Sequence, residues 1–226
     1  MKFGKYGAFT GPIILLAGCQ MSSDAAGLRD ARLDAYYAAS EATEGALYAD
    51  ATYDMPVSGT ATYEGQATIA VGNQATTRQD LFAGTSTYEA RFTGYEADID
   101  GKLENFVVRE DLSVQELEQV LNAYASADTT AEQERALKSI MQNASVVDGE
   151  VILTARGEYD PSFLTFATDG TLTSGTRVTD LSGQTSGAFM GDGAEYLAVY
   201  GSSDDGLSFD QGGQDRFGIL LSLSRK

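Results

Sequence analysis

The chain reads as mainly β: an antiparallel up-and-down β-barrel of about eight strands, with an inserted helical hairpin and an N-terminal helical or tether segment. Three observations predict this. From Ser58 the residues alternate: Ala61, Tyr63, Gly65, Ala67, Ile69 and Val71 share one face, and Thr60, Thr62, Glu64, Gln66 and Thr68 the other. Period-two patterning rich in threonine and aromatics is the signature of a half-buried strand. Five Asp-Gly pairs follow, at Asp100-Gly101, Asp148-Gly149, Asp169-Gly170, Asp192-Gly193 and Asp205-Gly206. Asp-Gly supplies the positive φ of a type I′ turn, so each is a candidate hairpin tip. Finally, the C-terminal segment sets Phe217, Ile219, Leu221 and Leu223 on one face of a last strand. A sheet of about eight turn-linked strands can close on itself and lose its exposed edges.

The elements follow in order. Gln20 to Asp54 is a polar, alanine-rich lead. Within it, Leu28 to Tyr48 can hold a helix with Leu28, Arg32, Tyr36 and Ala39 on one side, interrupted by Gly45. That segment is either a spacer or a short helix packed on the domain. Pro56 marks the boundary of the barrel, and Gly65 inside the first strand suggests a strong bend. The flanks of the Asp-Gly pairs supply the next strands: Tyr88 to Asp98 and Lys102 to Val108, then Val151 to Tyr159. Phe163 to Thr168 and Thr171 to Val178 follow, then Gly187 to Met190 and Tyr196 to Tyr200. One stretch departs from this pattern. Ser113-Val114-Gln115-Glu116 is a capping box, followed by Leu117, Val120, Leu121 and Tyr124 at helical spacing. A second helix is predicted from about Ala131 to Asn143, with Leu137, Ile140 and Met141 on one face. The hairpin is a lid, a partner-binding element or a cap on one barrel end.

The N-terminus carries a different signal. Lys2 and Lys5 precede a short apolar run that ends at Leu16-Ala17-Gly18-Cys19. This is the layout of a secretory signal, too short to span a bilayer. The single cysteine of the chain sits at the predicted cut. Leu16, Ala17, Gly18 and Cys19 resemble the lipobox of bacterial lipoproteins, in which the cysteine is lipidated and becomes the first residue. The alternative is an ordinary signal with a chance cysteine. The resulting division is 1–18 as signal peptide, 19–55 as lipidated tether, and 56–226 as barrel with a helical insertion at 113–143. Each buried acyl methylene contributes about 0.8 kcal/mol, so more than one chain anchors a soluble domain firmly. Aspartate after the cysteine signals inner-membrane retention in lipoproteins. Gln20 stands there instead, which implies the outer membrane, in either leaflet.

Composition narrows the function. The formal charge is −18, and more negative still if Lys2 and Lys5 leave with a signal. So acidic a chain will not track phosphates, which disfavours nucleic acid, and an anionic membrane surface repels it. Attachment to a membrane must then come from the lipid anchor. With one cysteine no internal disulfide forms. With no histidine, Ser-His-Asp and Cys-His catalysis and histidine-rich zinc or haem ligation are excluded. Carboxylate and tyrosine chemistry remain.

Two stretches carry a further likeness. Met55-Pro56-Val57-Ser58-Gly59-Thr60-Ala61-Thr62-Tyr63-Glu64-Gly65 resembles the opening barrel strand of transferrin-binding protein B-like lipoproteins. Gly187-Ala188-Phe189-Met190-Gly191-Asp192-Gly193-Ala194-Glu195-Tyr196 is similar to that family's penultimate hairpin. Phe217-Gly218 and the terminal Arg225-Lys226 fit its closing strand. The likeness covers roughly Met55 to Lys226. The sequence departs from the family at Asp192-Gly193, which replaces a proline-containing turn, at Tyr196-Leu197, and in the helical insertion. The resemblance implies a surface lipoprotein whose barrel loops capture a solute, such as an iron or haem source, or a protein. Scaffold alone does not fix a ligand.

Candidate chemistry is sparse. Tyr196 and Tyr200 are the candidate ligand-binding residues, drawn from a set that includes Tyr36, Tyr37, Tyr63, Tyr88 and Tyr95. The alternative for strand tyrosines is half-buried sheet packing. Asp98, Asp100 and Glu104, and separately Asp204, Asp205 and Asp210, loosely resemble calcium loops but lack the spacing of an EF-hand; solvated turns are the simpler reading. Asp192 with Glu195 is a carboxylate pair of glycosidase type without a recognisable cleft. No catalytic residue, metal or cofactor is assigned, and the chain is read as a binding protein and not an enzyme. The rival reading is a structural or assembly lipoprotein of the envelope with no small ligand.

Overall fold

The computed structural model describes residues 14–52, 54–73, 77–94, 96–126, 130–156 and 163–226. Ten strand segments form one antiparallel sheet that closes into a barrel: β1 (Ser58–Asn73), β2 (Arg78–Thr93), β3 (Glu96–Ser113), β4 (Ser145–Val146), β5 (Asp148–Ala155), β6 (Leu164–Ser174), β7 (Arg177–Met190), β8 (Tyr196–Ser202), β9 (Leu207–Gln211) and β10 (Asp215–Arg225). The ring runs β1-β2-β3-β5-β6-β7-β8-β10 and closes where β10 pairs β1, from Glu64↔Arg225 to Gly72↔Phe217. Segments β8 and β9 occupy one ring position in tandem between β7 and β10. Their registers on β7, Ser186↔Tyr200 and Gly183↔Leu207, differ by a short excursion through the 3-10 turn Ser203–Asp205. The barrel therefore has eight strands, as the patterning predicts.

The alternation in β1 holds: Tyr63, Gly65, Ala67, Ile69 and Val71 point inward. The interior is filled by aromatics, among them Tyr63, Tyr88, Phe92, Phe166, Phe189 and Phe209, all essentially solvent-free. Tyr63 and Phe92 both pack on Phe189 at 5.6 Å between ring centroids, and Tyr88 meets Phe166 edge-on at 6.2 Å. Such rings need room across a narrow barrel, and glycines give it. Tyr88 lies directly opposite Gly101, and a Cβ at Gly101 would overlap its ring. Gly84 faces Phe106, Gly187 faces Phe166 and Gly218 faces Phe209 in the same way.

This packing corrects three sequence expectations. Asp100-Gly101 lies within β3 and Asp169-Gly170 within β6, while Asp148-Gly149 opens β5. Only Asp192-Gly193 and Asp205-Gly206 sit at turns. The other three glycines serve close approach between strands: a Cβ at Gly170 would strike the Glu150 carbonyl and Val151, and one at exposed Gly149 would strike the Thr171 carbonyl. The strands are accordingly longer than predicted, and their tips fall elsewhere, at Gly94 and Gly175 for example. Gly157 and Tyr159 of the predicted fifth strand lie outside the described residues. The third correction concerns β10. Phe217, Ile219, Leu221 and Leu223 do share a face, but it is the outer one: the first three are 37–38% exposed, and Leu223 is buried against Ala46 and Tyr196. The inward set is Gly218, Leu220, Ser222 and Ser224, small except for Leu220 because rings from other strands already fill the space.

A second core lies on the outer wall. Helix α1 (Ile14–Thr43) runs through the lipobox and continues to a 3-10 turn, Glu44–Tyr48, that begins one residue before Gly45. From Arg32 onward it presents Arg32, Leu33, Tyr36, Tyr37, Ala39, Ser40 and Thr43 at helical spacing toward the barrel. Leu33 and Tyr36 pack with Leu81, Ala83 and Val107, outward residues of β2 and β3, and Arg32 donates to the Phe106 and Val147 carbonyls at 2.8 and 2.6 Å. The packed-helix alternative thus describes its C-terminal half, and Leu28 lies exposed beyond it.

Helices α2 (Val114–Ala125) and α3 (Thr130–Ile140) form the predicted hairpin; the second ends three residues early, in a turn over Met141–Asn143. Ile140, Met141 and Leu117 join the same outer core, so the base of the hairpin rests against the wall beside α1. Lys138 lies over the Tyr37 ring at 5.1 Å. The capping box forms as predicted: Glu116 N–H donates to Ser113 Oγ, and Ser113 N–H donates to Glu116 Oε2 at 2.9 Å. These bonds from Ser113, backbone first, hold the Glu116 carboxyl below its ordinary range, with Arg109 assisting.

Two predictions follow from these contacts. Gly65→Ala, whose Cβ would run into the Leu223 carbonyl at the β1–β10 seam, destabilises by about 1–3 kcal/mol or more by overpacking. Gly94→Ala, at φ +67 in open space, costs only about 1–2 kcal/mol of backbone strain. Thermal melting of both variants checks the order. Because the folded-state Glu116 pKa is depressed, its capping contribution is present above the ordinary glutamate range and is lost as pH falls through the folded value. Protection of the amides in the first turn of α2, corrected for intrinsic exchange, should therefore drop once pH falls below the ordinary glutamate range in the parent but show no such step in Glu116→Gln.

Candidate functional site

The two barrel ends differ. At the end where β1 begins, the β7–β8 turn folds into the opening. Gly191, Gly193 and Ala194 all take positive φ, and Ala194 is fully buried. The Tyr63 hydroxyl donates to the Ala194 carbonyl at 3.0 Å from inside the barrel. The N-terminal segment adds bonds from Thr52 N–H to Phe189 O and from Gly191 N–H to Asp50 O, both 3.0 Å. Lys226 Nζ reaches Gly193 O at 2.7 Å, and Arg225 pairs with Glu195 at 2.8 Å. Among the described residues, the β7–β8 turn and the N-terminal segment cover this end.

The opposite end is polar. An open cleft of about 440 Å³ lies there, lined by Arg78, Asp80, Asp111, Arg177, Gln211 and Arg216 among others. Inward alternation brings these side chains to the mouth from the ends of β2, β7, β9 and β10. Its centre is Asp80, 4% exposed. Arg177 Nη1 donates to Asp80 Oδ1 and Oδ2 at 2.8 and 2.7 Å, Gln211 Nε2 donates to Oδ2 at 2.8 Å, and Asp111 N–H donates to Oδ1 at 2.8 Å. The last bond depends on a β-bulge: Glu110 and Asp111 together stand opposite Asp80, and Asp111 takes φ 55. A bulge re-aims backbone in this way, and aspartate tolerates the left-handed region better than most residues.

The electrostatics follow from the geometry. Burial works against the Arg177 charge, yet Asp80 first, then Glu110 and Asp111, hold its pKa above the ordinary arginine value. Arg78 Nη1 donates to the Asp111 carbonyl at 2.9 Å. Arg216 is different: its Nε is buried and makes no hydrogen bond among the described residues. A buried donor left without an acceptor costs about 1–3 kcal/mol. Asp80, with both oxygens occupied by donors, is a fixed anchor for the mouth and is not placed as a general base.

The predicted ligand residues lie elsewhere. Tyr196 and Tyr200 share the outer face of β8. Tyr196, 9% exposed, packs under the 3-10 turn with Ala46 and Leu223, and the Arg225 guanidinium sits 5.7 Å from its ring. Tyr200 is 43% exposed, opposite Leu221. Tyr63 and Tyr88 belong to the interior, where burial pushes both phenols well above their ordinary pKa. Tyr36 donates to or accepts from Thr68 Oγ1 at 3.0 Å and meets Tyr37 edge-on. Tyr95 lies outside the described residues.

Several of the acidic candidates are engaged with neighbours. Asp100 pairs with Arg156, and Lys102 bridges Glu104 and Glu150 at 2.8 Å each. Asp205 accepts from Ser202 Oγ, and Asp210 accepts from Gly213 N–H. Among the described residues no cluster of histidine, cysteine, aspartate and glutamate is placed to hold a metal ion. Leu16, Ala17, Gly18 and Cys19 fall in the first two turns of α1. Lys2, Lys5 and the start of the apolar run lie outside the described residues. No described helix is long and apolar enough to cross a membrane.

Sequence reading missed the Asp80 cluster. Its one local sign is Arg78-Gln79-Asp80, where polar residues continue the inward phase of Phe82. The partners come from β3, β7 and β9, and only register assembles them. Comparison with protein families, curated proteins and solved structures finds no match to this chain.

Removing the Asp80 carboxylate leaves Arg177, Gln211 and the Asp111 N–H without their acceptor. Asp80→Ala is expected to lower stability by about 1–3 kcal/mol. The lower half of that range is expected, because Arg177 is about a third exposed and water screens it. Urea unfolding at neutral pH measures it, with Asp98→Ala on the outer wall expected near zero.

Proposed function

We propose that this chain is a lipid-anchored binding protein of the outer membrane, holding a rigid barrel away from the bilayer and using its open mouth and loops to capture a ligand. The observation that carries the reading is Leu16-Ala17-Gly18-Cys19, with the chain's single thiol at the predicted cut. Fatty acylation there would account for a membrane association that the −18 charge opposes. The α1 side chains described as packing on the barrel, Arg32, Leu33 and Tyr36 among them, lie after Cys19, so loss of residues 1–18 leaves those contacts intact. The helix between Cys19 and Arg32 then spans about 20 Å at 1.5 Å per residue.

The kinship to transferrin-binding protein B-like lipoproteins is part of the same proposal. It is supported by where the similar stretches fall: Ser58 to Gly65 opens β1, Gly187 to Tyr196 is the β7–β8 hairpin, and Phe217-Gly218 lies in β10. Because aromatic rings occupy the interior, capture is assigned to the rim and outer surface and not to a central cavity. Binding without turnover is the matching expectation.

The test is metabolic labelling with an alkyne fatty acid in a bacterial host, followed by mass spectrometry and membrane fractionation. The parent is expected to incorporate label, begin at Cys19 and fractionate with outer membrane, and Cys19→Ser to lose the label. An unmodified thiol, or recovery in the inner membrane, overturns the anchor and its location respectively.

A further inference from the structure

We infer that the polar mouth binds an oxyanion, the carboxylate or phosphate group of a small ligand, on Arg216. This names the ligand class for the binding role proposed above and rests on that reading for its biological setting, but the site is argued from its own geometry.

Arg216 lies in β10 in the inward phase of Gly218 and Leu220 and lines the 440 Å³ cleft. The cleft holds three guanidinium groups, of Arg78, Arg177 and Arg216, against two lining carboxylates, of Asp80 and Asp111. Both carboxylates are directed at Arg177: Asp80 through two bonds and Asp111 at 3.4 Å, with Glu110 a further 4.0 Å neighbour of the same arginine. Arg78 donates to the Asp111 carbonyl. Among the described residues, no hydrogen bond or ion pair satisfies the Arg216 guanidinium, and its Nε is shut off from water. The mouth thus neutralises one arginine with three acids and leaves another without an acceptor, in a concavity of small-ligand size.

A guanidinium presents its donors in a planar fork that matches two oxygens of one carboxylate or phosphate. Such a group would accept from Arg216, with Arg78 lining the same cleft as a second cation. The Asp80–Arg177–Gln211 cluster is already paired internally and ties β2, β7 and β9 together beside it. The net negative charge of the protein does not forbid this. At physiological salt, exposed charges beyond about 8 Å are largely screened, so the local arginines dominate.

The experiment uses the full-length protein in detergent, labelled with ¹⁵N-arginine. Inorganic phosphate and citrate are the probes, followed by calorimetry and by the arginine Nε–H signals. One or both probes should bind with one-to-one stoichiometry and shift the Arg216 Nε signal. Phosphate alone assigns a phosphoryl ligand and citrate alone a carboxylate. Arg216→Lys, which keeps the charge but loses the fork, should weaken binding about tenfold or more, the loss of one charge-assisted contact. Arg91→Lys, outside the cleft, should bind as the parent does. No binding of either probe up to about 10 mM, an affinity weaker than any specific site of this kind, overturns the inference, as does unchanged affinity in Arg216→Lys. If that variant fails to fold, the parent's Nε signal decides: a shift confined to other arginines overturns the assignment. None of these outcomes bears on acylation of Cys19, so the anchor and the anion site stand or fall separately.

Discussion

The barrel depends on a steric exchange between aromatic rings and missing side chains. Tyr88 can cross the interior because Gly101, directly opposite it, offers no Cβ, and Phe106, Phe166 and Phe209 lie over Gly84, Gly187 and Gly218 by the same rule. Aromatic rings over strand glycines restore the apolar contact that a glycine lacks and let the sheet curl tightly. At the seam, the absent Cβ of Gly65 lets β10 approach β1 closely enough to complete the ring. The resulting core is solid, and that decides what the barrel can do. A ligand must be held at an end or on the wall.

The ends and the wall are then specialised by what covers them. The β7–β8 turn covers one end, with Ala194 buried and its carbonyl held by the Tyr63 hydroxyl. On the wall, Leu81, Ala83 and Val107 point outward from β2 and β3 and would be exposed on a bare barrel. The C-terminal half of α1 and the base of the α2–α3 hairpin bury them instead. Among the described residues the outer face of β10 is covered at Leu223, under the 3-10 turn, while Phe217, Ile219 and Leu221 remain partly exposed beside Tyr200. The polar mouth is what remains, and its charged groups do not enter the aromatic core because Asp80 gathers them at the rim.

That rim shows how one buried carboxylate can order a mouth. Asp80 accepts four bonds from three segments distant in sequence, so the bulge in β3, the start of β7 and the end of β9 are tied to one point. Fully satisfied polar networks of this kind rigidify their surroundings, and Arg216 beside this one has no acceptor among the described residues.

The sequence by itself determined the fold class, the first strand and its inward face, the capping box at Ser113 and Glu116, and the helical hairpin. Each of these is set by residues within a turn or two of one another, through period, propensity or a local hydrogen bond. Tertiary structure decided the rest. Asp100-Gly101 and Asp169-Gly170 have the chemistry of tight turns, yet they lie within strands, because rings and backbone on neighbouring strands need the space. Phe217, Ile219 and Leu221 look like a core face but point outward, because the interior opposite them was already full. Tyr196 and Tyr200 share a strand face, but the 3-10 turn covers one and not the other. The Asp80 mouth was invisible in the chain for the same reason: its members are brought together by strand register and ring closure, and neither is encoded in any local stretch.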